Sequence, residues 1–232
     1  TDAHEFVLHC EKSKFYSMLT WCAETLIDYE TECMNKALAG NPGPLCELVE
    51  NSSLIIFEKK QSMNLSSGLI GALQTTLKRL EKSHLLSGPE ALTTRYFGGT
   101  YFSFLQAVQL DTILYEISLL NERSKDTYRA AALSAASDLV NTVGKQFAQP
   151  LKTTNPDGTP KNNIVNRIRT DRKQKCFSLY EGWLQFYLSG TPAIHRHFVY
   201  RMDYACALDK MLQMPDLDLK VVYADPPYTR YH

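Results

Sequence analysis

The sequence predicts an α/β fold, in which a parallel sheet is accompanied by a large inserted helical segment. Three observations predict it. Apolar residues recur at three- and four-residue steps through most of residues 1–190. The last forty residues are instead rich in aromatic and β-branched side chains, and they read in the order strand, helix, strand. Strands that flank one crossover helix in this way are parallel.

The helical stretches begin near the start of the chain. From Glu5 to about Leu38 the apolar spacing indicates one long helix or two abutting helices. Residues 40–44 hold two glycines and two prolines, which end that run. The same spacing predicts further helices over 66–85, 103–120, 130–147 and 177–188.

The C-terminal residues predict the sheet. Residues 195–202 alternate as a strand does, 204–212 have helical spacing, and 219–224 read as a buried strand. Ligands of parallel sheets bind just beyond the carboxyl ends of the strands. Asp203 and Asp225 follow the two predicted strands, so we expect their carboxylates to line one pocket.

The formal net charge is zero, but the charges are unevenly distributed. Residues 1–50 hold nine acids and three lysines, whereas the basic stretch 141–175 holds eight cations and only Asp157 and Asp171. We expect its cations to contact the phosphates of duplex DNA; a solvated loop is the alternative. Seven of them are the predicted DNA contacts, with Lys175 as the eighth cation: Lys145, Lys152, Lys161, Arg167, Arg169, Arg172 and Lys173.

Several classes of protein are disfavoured. The six cysteines form no C-x-x-C pair and lie near no suitably spaced histidine, so neither a metal site nor a disulfide framework is expected. This cysteine usage fits a reduced, cytoplasmic compartment. No apolar run approaches the ~18 residues of a membrane span, and no signal peptide opens the chain. We therefore expect no membrane partner.

The tetrad Asp225-Pro226-Pro227-Tyr228 follows the last predicted strand. An amino group conjugated to a nucleobase is a poor nucleophile, and the Asp225 carboxylate with the Pro226 carbonyl can accept both of its hydrogens. The two prolines stiffen the loop, and Tyr228 offers a ring on which a flipped base can stack. A Pro-Pro turn after a strand is the alternative reading. These groups suit the methylation of a nucleobase amino group, and the aspartate in first place favours adenine as the methylated base.

Three stretches resemble adenine-specific (N6) DNA methyltransferases of restriction-modification and related systems: 95–103 with the helix through Asp111, 141–150, and 222–232. The resemblance implies a Rossmann-like methyltransferase core, represented in part, with a large helical recognition segment. It also implies transfer of a methyl group from S-adenosyl-L-methionine to a flipped adenine in duplex DNA.

The resemblance further implies cofactor-binding residues. Asp203, with Tyr204, matches the acidic position that bonds the adenine amino group of S-adenosyl-L-methionine. Asp2 resembles the acid that holds the ribose hydroxyls; a helix N-cap is the alternative. The glycine-rich cofactor loop of the family does not occur in the sequence, and we expect it in a part of the protein that precedes Thr1.

The predicted organisation has three parts: a helical part of the catalytic region (1–94), a helical and basic DNA-facing segment (95–190), and the end of the core with the tetrad (191–232). The alternative function is a non-catalytic DNA-binding or interaction subunit in a restriction or anti-phage defence assembly. Methylation of RNA or protein amines is disfavoured by Asp225.

Overall fold

Helices dominate the structure. The computed structural model describes residues 2–60, 64–142, 149–190 and 199–214, without the Arg123 side chain. The helices within these ranges are α1 (Ala3–Lys12), α2 (Lys14–Leu38), α3 (Gly43–Asn51), α4 (Leu54–Lys59), α5 (Ser67–Lys82), α6 (Leu92–Phe97), α7 (Phe104–Ser118), α8 (Glu122–Leu139), α9 (Ile164–Arg172), α10 (Cys176–Ser189) and α11 (Tyr204–Leu212). The predicted helices are confirmed, although the one expected over 130–147 begins earlier, at Glu122, and ends at Leu139.

The predicted α/β fold is wrong for the described chain. Its residues form three isolated β-bridges and no sheet. Of the two strands predicted near the C-terminus, only 199–202 lie within the described ranges, and these residues form no strand. Val199 is 96% exposed. An alternating segment becomes a strand only where a neighbouring strand completes its hydrogen bonds, and no such neighbour is present among the described residues. A partial Rossmann-like core is therefore not observed.

Two compact units make up the chain, Thr1–Gly190 and Thr191–His232. The first therefore includes both helical parts predicted from the sequence. Its longest helix, α2, contacts α3, α5, α7 and α9. Leu19 and Leu26 of α2 are completely buried, and burial of one such side chain stabilises a fold by about 1.5–3 kcal/mol.

The break between α1 and α2 is set by Ser13. Its backbone is extended, and its hydroxyl accepts a hydrogen bond from the backbone N–H of Tyr16 at 3.0 Å. A serine in this place satisfies one of the N–H groups that a helix start leaves free. Helix α2 ends before Gly40, which has a φ of +97°. Pro44 lies in the first turn of α3, where proline is tolerated.

The described part of the second unit consists of α11 and its flanks. Asp203 is the N-cap of this helix, and its Oδ1 accepts a hydrogen bond from the N–H of Ala205 at 2.9 Å. The Lys210 ammonium lies 4.7 Å from the ring centre of Tyr200. Among the helices of the described ranges, in either unit, none has the length and apolar character needed to cross a bilayer.

Candidate nucleic-acid interface

The first part of the basic stretch is a folded loop, residues 150–163, which we call the basic loop. Its turn is closed by a hydrogen bond from the Asn155 N–H to the Thr159 carbonyl at 2.8 Å. The Asp157 carboxylate accepts hydrogen bonds from the backbone N–H and the hydroxyl of Thr159. Gly158, with a φ of +82°, supplies the left-handed residue of the turn. The loop therefore has a defined shape, as the Pro-Asp-Gly sequence predicts.

Two predicted DNA contacts, Lys152 and Lys161, lie on opposite arms of the basic loop. The Lys161 ammonium donates a hydrogen bond to the Lys152 carbonyl at 3.0 Å, and the Lys161 N–H donates to the Thr153 carbonyl at 2.9 Å. Both lysines are exposed. Lys152 and Lys161 also line a cavity of about 660 Å³. The loop thus presents two neighbouring cations to solvent.

Glu50, near the end of α3, anchors the basic loop to that helix. Its Oε1 accepts hydrogen bonds from the N–H and hydroxyl of Thr153, both at 2.7 Å, and from the N–H and hydroxyl of Thr154, both at 3.0 Å. Partial burial acts to raise the pKa of Glu50, but the four hydrogen bonds outweigh it and lower that pKa. The carboxylate is therefore charged at neutral pH and holds the loop in place.

Helix α9 and the residue after it carry four more predicted DNA contacts. The Arg167 guanidinium donates a hydrogen bond to the Thr142 carbonyl at 2.7 Å. Arg169 is half-buried and Lys173 is exposed. Neither Arg169 nor Lys173 has an acidic partner among the described residues.

The fourth of these residues is Arg172, whose side chain is only 6% exposed. Its guanidinium pairs with the Glu30 carboxylate of α2 and donates a hydrogen bond to the Gly99 carbonyl. The second Glu30 oxygen accepts the N–H of Phe104, the first residue of α7, at 2.7 Å. Burial lowers the pKa of Arg172 to about 9, which leaves it charged at neutral pH. Arg172 therefore joins α9 to α2 and to the turn before α7, and Glu30 extends this connection to α7.

The first stretch that carries the family resemblance, 95–103, comprises the end of α6 and the tightly packed turn 98–103 that leads into α7. A Cβ on Gly99 would lie 1.9 Å from Ser52 Oγ and 2.7 Å from the Phe104 ring, and the φ of Gly99 is +74°. A Cβ on Gly98 would meet the same ring at 2.8 Å. Both positions therefore require glycine. The start of the second stretch packs here, because the N–H of Asn141 donates to the Tyr101 carbonyl at 2.7 Å.

Asp111 of α7 caps the short helix α6. Its two carboxylate oxygens accept the backbone N–H groups of Thr93 and Thr94 at 2.8 and 2.7 Å. Burial raises the pKa of Asp111 from an ordinary value of 3.8 to about 6, against the opposing effect of these hydrogen bonds. The carboxylate thus supports the start of α6 rather than a surface site.

The predicted cofactor-binding residues belong to different units. Asp2, in the first unit, is exposed at the N-cap position of α1, and its side chain makes no capping hydrogen bond. Asp203, in the second unit, is exposed and uses one oxygen to cap α11. Tyr204 is 78% exposed.

Five predicted site residues lie outside the described residues: Lys145, Asp225, Pro226, Pro227 and Tyr228. The expected pocket between Asp203 and Asp225 therefore stays a prediction. Within the described ranges, no group of three His, Cys, Asp or Glu side chains is placed to hold a metal ion.

Three buried or anchoring acids, Glu30, Glu50 and Asp111, were missed by reasoning from the sequence. A signal existed for Glu30, which continues the buried face formed by Leu26 and Cys33. Asp111 likewise interrupts an apolar helix. A carboxylate on such a face is costly to bury unless hydrogen bonds satisfy it, so its presence indicates a partner.

Comparison with known proteins adds no relative. No protein-family model, no curated protein and no solved structure matches this chain.

Proposed function

We propose that the protein transfers a methyl group from S-adenosyl-L-methionine to the N6 amino group of a flipped adenine in duplex DNA. The observation that carries this proposal is the tetrad Asp225-Pro226-Pro227-Tyr228. In the proposal, residues 150–175 of the helical unit contact the DNA backbone. The exposed cations Lys152, Lys161 and Lys173 support this proposed contact.

The tetrad supplies the groups that methylation of an amine requires. The Asp225 carboxylate accepts one hydrogen of the target amino group, and the Pro226 carbonyl accepts the other. This arrangement directs the nitrogen lone pair away from the two acceptors and toward the methyl donor. Tyr228 stacks on the extruded base. Catalysis then results from positioning and from preorganised electrostatics, without a covalent enzyme intermediate.

The chemistry of the proposed cofactor residues fits S-adenosyl-L-methionine, which supplies an electrophilic methyl group when it is bound. Asp203 uses Oδ1 to accept the N–H of Ala205, and the other oxygen is free of hydrogen bonds to the described residues. It can accept a hydrogen from the amino group of the cofactor's adenine. The Asp2 carboxylate, which makes no capping bond, can accept from ribose hydroxyls, and the exposed Tyr204 ring offers a stacking surface.

The DNA-binding part of the proposal is tested by salt dependence. Replacing Lys152, Lys161 and Lys173 with alanine should weaken binding to a duplex and reduce the slope of log K against log salt by roughly one per lost phosphate contact. The matched control replaces three exposed lysines elsewhere in the helical unit, Lys12, Lys78 and Lys82. The control should bind as the wild type does. An unchanged slope in the first variant would assign these cations to a solvated surface.

The catalytic part is tested by separating rate from cofactor affinity in the complete protein. Asp225→Ala should lower the rate of methyl transfer by about 10²–10³, because it removes a preorganised acceptor, with little change in cofactor affinity. Asp203→Ala should instead weaken cofactor binding by about 1–3 kcal/mol, the contribution of a charged hydrogen bond. Tritiated methyl transfer and calorimetry measure the two effects.

The alternative function predicts a different result in the same assays. If the wild-type protein binds duplex DNA but transfers no methyl group across varied sequences, a non-catalytic subunit of a restriction or defence assembly is the better account. If Asp225→Ala is as active as wild type, the tetrad does not form the catalytic site.

A further inference from the structure

We propose that a cavity between α2, the start of α7 and the end of α9 binds a single nucleotide, with its phosphate between Arg169 and Lys173 and its base against an apolar wall. The inference rests on the proposed DNA-directed function and deepens it, because Arg169 and Lys173 are two of the predicted DNA contacts. The cavity measures about 350 Å³, at the small end of the roughly 300–1,000 Å³ that is usual for ligand pockets.

One wall of this cavity, which we call the α2/α9 cavity, is apolar. Its four apolar side chains come from two helices, α2 and α7: Ile27, Met34, Leu38 and Leu105. Leu38 and Leu105 are 49% and 38% exposed. Apolar area of this kind, next to charge, suits a flat ring that is stacked on one face and polar at its edge.

The residues that α9 and its C-terminal end contribute to the cavity lining are cationic. Arg169 and Lys173 are four residues apart at the end of α9, and both line the cavity. Like charges at this spacing on a helix repel each other. Between them lies Arg172, whose charge is already neutralised by Glu30. Among the described residues that line the cavity, Glu30 is the only acid. It is occupied by Arg172 and by the Phe104 N–H.

Among the described residues, the cavity lining therefore holds two cations without an acidic partner, and its one acid is already paired. An anion placed between Arg169 and Lys173 relieves their repulsion and forms charge-assisted hydrogen bonds. A phosphate alone would leave the apolar wall exposed to water. A nucleoside monophosphate unit satisfies both walls, whether it is a free mononucleotide or a nucleotide displaced from a DNA strand.

The test measures binding of deoxyadenosine monophosphate to the wild-type protein and to two kinds of variant by calorimetry. Replacing Arg169 and Lys173 together with alanine should weaken binding about tenfold or more, since two charged hydrogen bonds are lost. Thr31→Phe should weaken it to a similar extent, because Thr31 is exposed and lines the cavity. The aromatic ring would fill the space without removing a charge.

A matched control distinguishes the cavity from general basicity. Lys175 is an exposed cation of the same basic stretch that does not line the cavity. Lys175→Ala should bind the mononucleotide as wild type does. Loss of helix-dipole stabilisation at the end of α9 would lower the melting temperature of the Arg169/Lys173 variant, but Thr31→Phe retains both cations and would be unaffected by that loss.

Competition identifies the source of the nucleotide. A duplex with one unpaired, bulged nucleotide should displace the mononucleotide better than a fully paired duplex if the cavity takes a displaced nucleotide of DNA. If neither duplex competes, the ligand is a free mononucleotide, and the cavity assignment holds.

Absence of mononucleotide binding by the wild type, or binding by both the Arg169/Lys173 variant and Thr31→Phe at wild-type affinity, would overturn the inference. These outcomes are independent of methyl transfer. A protein that methylates adenine but has no affinity for the mononucleotide would retain the proposed function and lose the cavity assignment. The reverse result would retain only the cavity.

Discussion

The buried ion pair between Glu30 and Arg172 should be one of the strongest single determinants of stability in the helical unit. The side chains of Arg172 and Glu30 are 6% and 9% exposed. Removal of one member of such a pair leaves the other charge buried and uncompensated, at a cost of about 3–5 kcal/mol. Arg172→Met and Glu30→Gln should each destabilise the protein by that amount. Because each single substitution already breaks the pair, the double variant should cost less than the sum, by up to about 3 kcal/mol.

Urea unfolding followed by far-ultraviolet circular dichroism measures these effects as changes in the unfolding midpoint at constant slope. The control is Arg129→Met, which removes an exposed ion pair to Asp126 within α8. Exposed pairs contribute little, so its midpoint should stay at the wild-type value. A cost below about 1 kcal/mol for either single variant, or strict additivity in the double variant, would refute the view that this pair joins α9 to α2 and α7.

Three further predictions concern α6 with the turn that follows it, and the basic loop. Asp111 has its pKa raised from 3.8 to about 6 in the folded protein, so ionisation of this buried group opposes folding. The stability of wild type relative to Asp111→Asn, which has no titrating group there, should be highest below about pH 4 and fall by up to about 3 kcal/mol as the pH rises through 6. Denaturant titrations at several pH values measure this, and a pH-independent difference would contradict it. Gly99→Ala should cost about 2–4 kcal/mol, because it combines a left-handed backbone with overpacking. In contrast, the methyl group of Gly158→Ala would point into open space, so this variant should lose only about 1 kcal/mol of stability. Equal losses in thermal unfolding would show that overpacking does not contribute at Gly99. Glu50→Ala should release the basic loop, which would be seen as faster proteolysis within 150–163. Glu50→Gln retains an acceptor oxygen and should be cleaved more slowly than the alanine variant. Equal cleavage of the wild type and Glu50→Ala would show that this carboxylate does not hold the loop.

The helices could be predicted from the sequence because their apolar spacing is local. The run from Glu5 to Leu38, the break after it, and α5, α7, α10 and α11 all follow from that spacing and from turn residues. The fold class could not be predicted in the same way. It depended on two short segments near the C-terminus, and whether such segments pair is decided by residues distant in sequence. In 199–202, no such partner is present among the described residues.

The sequence predicted which residues of the candidate interface are charged, but not which of them are exposed at the surface. Spacing identified the cations of 141–175, yet it did not show that Arg172 is buried or that Arg167 is bonded to a carbonyl. These differences arise from contacts such as Glu30 with Arg172, which are 142 positions apart. An acid on an apolar helix face indicates that a partner exists, but the sequence does not say which cation it is.

The most direct test of the proposed function is the product itself. Duplex DNA is incubated with the complete protein and S-adenosyl-L-methionine, digested to nucleosides, and analysed by mass spectrometry for N6-methyladenine. The proposal predicts this product with wild type, at about 10²–10³-fold lower rate with Asp225→Ala, and no methylated cytosine. Methylated cytosine in place of N6-methyladenine, or no methylated base from a protein that binds both DNA and cofactor, would contradict it.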